Sequence, residues 1–295
     1  MKTLSFKQRL AQKKFVVSVE IAPSKNADLT QNFREVALFA PFVNVVNITD
    51  SSMAKMRPAS FVIASLIQRK FDVEAIFNYT CRDRNVIGLK SDLLGALALG
   101  AKNVLALTGD APQKGDHPNA KGVFEVNSAG LLEIIEKLND EIFAGAIINF
   151  SKNLDFVRKN VIRKKEAGAK YFITQPVYTK GRIDFLQKLQ EEINIPIIVG
   201  ILPIKSWRVA EYMQNNVQGI TIPPADYKLF QYISDKEIFE RQVKKAQEIV
   251  KYARKKELAG VHLMPLGRGD KIPEILGYDH EQGIFQFFQK ELIQK

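Results

Sequence analysis

The sequence predicts a single-domain α/β protein folded as a (β/α)8, or TIM, barrel. Short apolar runs with strand character recur along the chain, and each is followed by a stretch of helical periodicity. The runs are nearly continuous in apolar residues instead of alternating, as expected where both faces of a parallel sheet are buried. At 295 residues the chain could hold two domains of about 150 residues each. It has no linker rich in Pro, Gly or Ser and no low-complexity segment, and such barrels reach about 250 residues as one unit. We therefore assign residues 1–295 to one barrel domain, with 1–14 as an N-terminal helical extension.

The elements follow in order. Residues 1–14 mix charges with single apolar residues and lack the apolar core of a secretory leader, which favours a short amphipathic helix. The first strand, 15–21, reads Phe-Val-Val-Ser-Val-Glu-Ile and stops before Pro23. Strand 43–48 precedes a helix over 59–70, strand 73–78 a helix over 90–99, and strand 103–107 a helix over 129–139. Strand 144–149 leads to a helix over 154–167, strand 171–174 to one over 182–192, and strand 196–201 to one over 206–214. The apolar stretch 219–223 breaks the count and is read as a strand-like piece in the loop after the helix over 206–214. A long helix over 235–256 then precedes the eighth strand, 261–265.

Composition narrows the function. The hydrophobic fraction of 46% and charged fraction of 25% are those of a globular chain. Basic residues outnumber acidic ones, 43 to 32, for a net charge of +11. They cluster at Lys244-Lys245 and Arg254-Lys255-Lys256, but acids are interspersed. No arginine-rich tail, zinc-finger spacing or aromatic RNA-binding motif accompanies them, so a solvated lysine-rich surface is expected and no nucleic-acid partner. No apolar run approaches the about 18 residues of a membrane span. The lone Cys81 cannot form an internal disulfide or hold a cluster, which suits a reducing cytoplasm. The three histidines, His117, His262 and His280, are scattered, and no metal site is expected. P-loop, G-x-G-x-x-G, G-x-S-x-G and H-E-x-x-H patterns are all missing, so no Rossmann nucleotide site, serine nucleophile or zinc centre is supported.

In such a barrel the chemistry sits where the strands end and the βα loops converge. The polar residues there are Glu20; Asn47, Thr49 and Asp50; Asn78 and Thr80; Thr108, Gly109 and Asp110; Asn149; Gln175; and Arg268. Any one of them alone reads more readily as a cap, a turn or a solvated loop, and the set is more informative than its members. Glu20 lies among apolar neighbours, where partial desolvation favours a protonated carboxyl suited to general-acid work, or a buried ion pair. Asp110 follows Gly109, which permits close backbone approach to a ligand and is also a turn signal. Gln175 offers an amide for the edge of a pterin or nucleobase, or for backbone. Trp207, the only tryptophan, falls just after the seventh strand, where it can stack on a planar ring or serve as a core or lid contact.

Together these segments resemble the methylenetetrahydrofolate reductase family over about residues 15–268. The carriers are Ser18-Val19-Glu20 with Pro23; Thr80-Cys81-Arg82-Asp83-Arg84-Asn85; Leu107-Thr108-Gly109-Asp110; Ala167-Gly168-Ala169 followed by Ile173-Thr174-Gln175-Pro176; and Gly200-Ile201-Leu202-Pro203. The resemblance implies a flavin-containing barrel that reduces 5,10-methylenetetrahydrofolate to 5-methyltetrahydrofolate by hydride transfer from reduced FAD. Glu20 then matches the general acid, and Asp110 the aspartate beside flavin and pterin. It further implies flavin contacts at Asn47, Asn78, Thr80, Thr108, Gly109, Asp110, Asn127, Asn149, Asn160, Arg163 and Lys164. Gln175 matches the reader of the pterin edge, Trp207 an aromatic against folate or nicotinamide, and Arg268 a clamp on the folate tail.

The chain departs from the family in the segment 153–165, which is shorter than in some relatives, and at three further places. Asn78 stands where a His is frequent, Thr108 where an Arg is frequent before Gly-Asp, and Asn149-Phe150 where a Tyr-Pro is common. These fall on the flavin grip and the donor preference, not on the chemistry. The donor is NAD(P)H, docking at the flavin face, or an electron-carrier protein. In the second case the chain would be a subunit of a larger electron-transfer complex; a homo-oligomer is the other assembly consistent with the sequence. A flavin-free barrel aldolase using a Schiff-base lysine lacks a lysine within a strand interior.

Overall fold

The computed structural model describes residues 4–150, 153–217 and 219–278. The apolar runs form β1 (Val16–Ile21), β2 (Val45–Ile48), β3 (Glu74–Thr80), β4 (Asn103–Leu107), β5 (Phe143–Ile148), β6 (Phe172–Pro176), β7 (Ile197–Ile201) and β8 (Gly260–Leu263). Each pairs in parallel with the next, and β1 closes on β8, so the sheet is a barrel in chain order with no free edge. Between strands run α2 (Thr30–Phe39), α3 (Ser60–Phe71), α4 (Val86–Ala98), α5 (Ser128–Leu138), α6 (Leu154–Glu166), α7 (Lys180–Ile193), α8 (Trp207–Asn216), α9 (Pro224–Phe230) and α10 (Asp235–Lys255); α1 (Phe6–Ala11) precedes β1 and α11 (Ile272–Leu276) follows β8.

Strand residues alternate between two cores. Val17, Val19, Val46, Phe77, Val104 and Val199 pack outward under the helices. Val16, Val45, Ile76, Leu105, Tyr171, Ile173 and Ile198 fill the interior together with Phe6 and Leu10 of α1. The lower end is an aromatic plug. Phe6 meets Tyr171 edge-on at 5.0 Å, and Phe143 stacks on Tyr171 at 5.3 Å. The Tyr171 hydroxyl donates to the Val104 carbonyl at 2.7 Å. Gly145 makes room for that ring, since a Cβ there would lie 2.5 Å from it. With the lower end filled by side chains, the upper end is left for polar groups.

The structure revises several elements. The stretch 219–223 joins no strand; its Ile220 and Ile222 instead bury with Leu202, Ile204, Ala210, Phe230 and Ile238 in a small core beneath α8 and α9. Helices α2 and α9 were not anticipated, α4 starts at Val86, and β3 continues through Thr80. His280 lies outside the described residues. No helix among the described residues is long and apolar enough to cross a membrane, and none of their His, Cys, Asp and Glu side chains cluster as a metal site.

Candidate active site

The site begins with strand parity. On β1, Ser18 and Glu20 follow Val16 on the inward face, and the β1–β8 register sets Ser18 opposite His262. The Ser18 hydroxyl lies 3.0 Å from His262 Nδ1, and His262 Nε2 lies 3.6 Å from Glu20 Oε2. The imidazole is only 2% exposed while the Glu20 side chain is 27% exposed, so the carboxylate opens to the mouth with a buried ring behind it. His262 was counted among the scattered histidines in the sequence; its parity on the eighth strand is the signal that would have singled it out.

Strands β2 and β3 add a polar floor. Asn47 Nδ2 donates to Asn78 Oδ1 at 2.8 Å. Asn47 Oδ1 and Thr49 Oγ1 are buried with no hydrogen-bond partner among the described residues. Asp50 Oδ2 accepts from the Thr80 backbone and hydroxyl, both at 2.9 Å, and from Arg84 at 3.0 Å. Arg84 also bonds Asp92 at 2.8 Å and lies over the Tyr79 ring at 4.6 Å, so the Thr80–Asn85 motif is a brace between the β2 and β3 ends. Burial pushes the Cys81 thiol up to about 11, which leaves it protonated and unreactive near neutral pH.

The β2 loop is a strained strap. Ser51, Met53 and Ala54 all take left-handed φ values, 46°, 57° and 54°, a conformation costly for side chains with a Cβ. Neighbouring loops hold it there. Arg82 donates to the Ser51 carbonyl at 3.1 Å, and Asp110 Oδ2 accepts from Met53 N at 2.8 Å. Gly109, at φ 94°, packs against Thr80 and Arg82, where a Cβ would come within 3.1 Å of both side chains. Thr108 Oγ1 accepts from Ser128 N at 3.1 Å, and Asn127 caps α5 through Ala129 N and Gly130 N.

The far rim joins Asn149 and Gln175. A Cβ on Gly219, at φ 90°, would strike Gln175 Oε1 and Asn149 Oδ1, at 1.9 and 2.6 Å, so the three are in close contact. Gln175 Oε1 also accepts from Phe150 N at 3.2 Å. The remaining nominated residues lie apart from this cluster. Trp207 opens α8, where its N–H is capped by Asp235 at 2.9 Å and its ring meets Tyr227 at 5.0 Å. Arg268 grips Asp270 with two bonds of 2.9 and 2.8 Å and lies over Phe239 at 4.5 Å. Asn160 and Arg163 bond each other on α6 at 2.9 Å. Lys164 is buried and donates to the Ile147 carbonyl at 2.8 Å; burial, helped by Arg163, lowers its amine to about 8.

The sequence model of methylenetetrahydrofolate reductase matches residues 5–278. The chain belongs to the methylenetetrahydrofolate reductase family. Methylenetetrahydrofolate reductase 1 of Schizosaccharomyces pombe is 27% identical over 209 residues, 66% of this chain and 34% of the yeast protein. The chain thus spans about a third of that relative. The 5,10-methylenetetrahydrofolate reductase of Buchnera aphidicola from Schizaphis graminum is 26% identical over 227 residues, covering 74% of this chain and 75% of that one. Among solved structures, an uncharacterized protein from Clostridium thermocellum that binds two copies of 5-methyl-5,6,7,8-tetrahydrofolic acid superposes with a TM-score of 0.66. At 15% identity, over 95% of this chain and 99% of that one, it shares the fold of this chain.

Proposed function

We propose that this protein reduces 5,10-methylenetetrahydrofolate to 5-methyltetrahydrofolate, using bound FAD and Glu20 as general acid. The observation that carries the reading is the Glu20 carboxylate, opening to the mouth of a barrel of this family with His262 behind it. The residues present fit a flavin. The buried acceptor Asn47 Oδ1 and hydroxyl Thr49 Oγ1 lack partners among the described residues, and the edge of an isoalloxazine ring, with an N–H donor and carbonyl acceptors, would satisfy both. The resemblance adds Asn78, Thr80, Thr108, Gly109, Asn127 and Asn149 as residues that would hold the flavin, with Asn160 and Arg163 at its pyrophosphate or ribose; Lys164, the third residue it nominates there, is instead buried on the Ile147 carbonyl.

Reduced FAD, when bound, supplies the hydride. Glu20 gives its proton to N10 of the substrate as the bond between N10 and the bridging carbon breaks, leaving an N5 iminium that accepts hydride at that carbon. Asp110 places a negative charge at the end of β4, which stabilises that cation. His262 Nε2, 3.6 Å behind Glu20 and with its ring held by Ser18 at Nδ1, orients the carboxyl, which regains its proton from solvent at the mouth. Gln175 holds the pterin edge. A Rossmann site is missing, so NAD(P)H would take the folate's place at the flavin, or a carrier protein would deliver electrons to it.

Anaerobic titration tests this. The purified protein should be yellow, bleach with one of NADH, NADPH or reduced ferredoxin, and regain colour with methylenetetrahydrofolate. Glu20→Gln should slow the recolouring by about a hundredfold or more, with bleaching by the donor intact. A colourless protein that takes up no FAD overturns the reading.

A further inference from the structure

The loop after β2 holds three residues with side chains, Ser51, Met53 and Ala54, in left-handed backbone. Such a run is costly and persists only where its surroundings over-determine it. The ties come from three loops. Arg82 donates to the Ser51 carbonyl at 3.1 Å, and Arg57 N donates to Ser51 Oγ at 3.2 Å. Met56 N donates to Asp116 Oδ1 at 2.9 Å. Gly115 lies so close to Ala54 that a Cβ on it would stand 1.9 Å from the Ala54 carbonyl oxygen. Held in this way, the strap aims one backbone donor at the site: Met53 N reaches Asp110 Oδ2 at 2.8 Å.

Arg82 is the buried charge among these ties, only 3% exposed. Its Nε and Nη2 are both taken by Asp83, at 2.8 and 2.7 Å, which fixes the planar guanidinium and leaves Nη1 for Ser51. A Cβ on Gly109 would stand 3.0 Å from Arg82 Cβ, so the same residue also bounds the backbone just before Asp110. On the carboxylate, Oδ2 is committed to Met53, while Oδ1 bonds no described residue and is the oxygen left to meet a ligand.

We infer, on the folate reading above, that Arg82 is a positioning residue for folate reduction: through Ser51 it holds the Met53 N–H on Asp110 and so fixes the carboxylate that stabilises the substrate cation. A carboxylate already anchored needs no reorganisation as positive charge develops, so the benefit falls on the rate of the chemical step and not on binding. Methionine at 82 keeps the Cβ that Gly109 packs against and removes the fork alone. Lysine keeps the charge, but a single ammonium cannot bridge Asp83 and Ser51 in the arginine's geometry.

The first test needs no flavin. Nitrogen-15 labelling of methionine resolves the Met53 amide, assigned by its loss in Met53→Leu. Its exchange with solvent should be about tenfold or more slower in wild type than in Arg82→Met or Asp110→Ala. In the flavin-bound protein, Arg82→Met should slow recolouring by saturating methylenetetrahydrofolate about tenfold, with the half-saturating folate concentration and bleaching by the donor near wild type. Arg82→Lys should recolour as slowly as Arg82→Met. With Asp110→Asn already in place, Arg82→Met should slow recolouring by less than about twofold more, because both changes remove one interaction. Circular dichroism and the thermal midpoint report folding; if Arg82→Met does not fold, Asp83→Ala frees the same fork and carries the same readouts. A Met53 amide that exchanges equally fast in wild type and variants overturns the inference. So does a lysine variant at the wild-type rate, or losses that multiply in the double variant. Wild type that methylenetetrahydrofolate fails to recolour overturns the folate reading and the role of Arg82 with it, and a protected Met53 amide then separates that failure from failure of the strap.

Discussion

Thr49 carries a buried hydroxyl at the upper end of β2. No described residue bonds it, and a buried hydroxyl left unbonded costs a folded protein about 1–3 kcal/mol. Replacement by the nearly isosteric Val should leave the flavin-free protein as stable as wild type or more so, while weakening FAD retention about tenfold. Chemical denaturation of the flavin-free form and flavin titration read the two effects separately, and a drop in both would assign Thr49 to structure alone. Residues of this kind are half legible in sequence. Asn47, Thr49 and Glu20 are found by their place at strand ends, but that Asn47 pairs with Asn78 and leaves its oxygen unpartnered follows from the neighbouring strand.

At the scale of elements, α6 shows what packing adds to a helical pattern. Its amphipathic repeat is plain in the sequence, yet Lys164 faces inward and is buried against β5. Burial holds its amine near 8 against an ordinary 10.5, so the unfolded chain binds more protons between those values and stability rises with pH across that window. Lys164→Met loses this dependence. Wild type should gain about 1–3 kcal/mol relative to the variant between pH 8 and 10.5, measured by urea unfolding of the flavin-free proteins. Parallel unfolding profiles would refute the buried amine. The misread stretch 219–223 has a related cause. Isoleucine at alternate positions is a strand signal only if a sheet edge is available, and a closed barrel offers none, so Ile220 and Ile222 bury under α8 and α9 instead.

In the whole molecule, stability and chemistry occupy opposite ends of the barrel. The lower end is filled by Phe6, Phe143 and Tyr171, and the upper end carries the polar floor and the strained strap over 51–54. Phe6→Ala removes a ring that is 1% exposed and stacked edge-on against two others, and should cost about 3–5 kcal/mol of unfolding free energy. Because the plug lies a barrel's length from Glu20, flavin affinity and the rate of folate reduction should change little at temperatures where the variant is folded. Loss of activity without loss of stability would contradict this separation.

The sequence by itself determined the barrel, because eight apolar runs separated by helical repeats leave few ways to bury both faces of a parallel sheet. It also marked the strand ends, since polar residues that break an apolar run have to lie where the chain leaves the core. Partnerships were decided by the tertiary structure. Ser18 and His262 stand 244 residues apart and meet only because β1 closes on β8 in one register. Arg268, nominated from the sequence, and Arg208, which was not, are both basic residues after late strands, and only folding set one on Asp270 and the other at a cleft. Periodicity is a property of neighbours along the chain, whereas the partners of a side chain at a barrel mouth come from every loop around it.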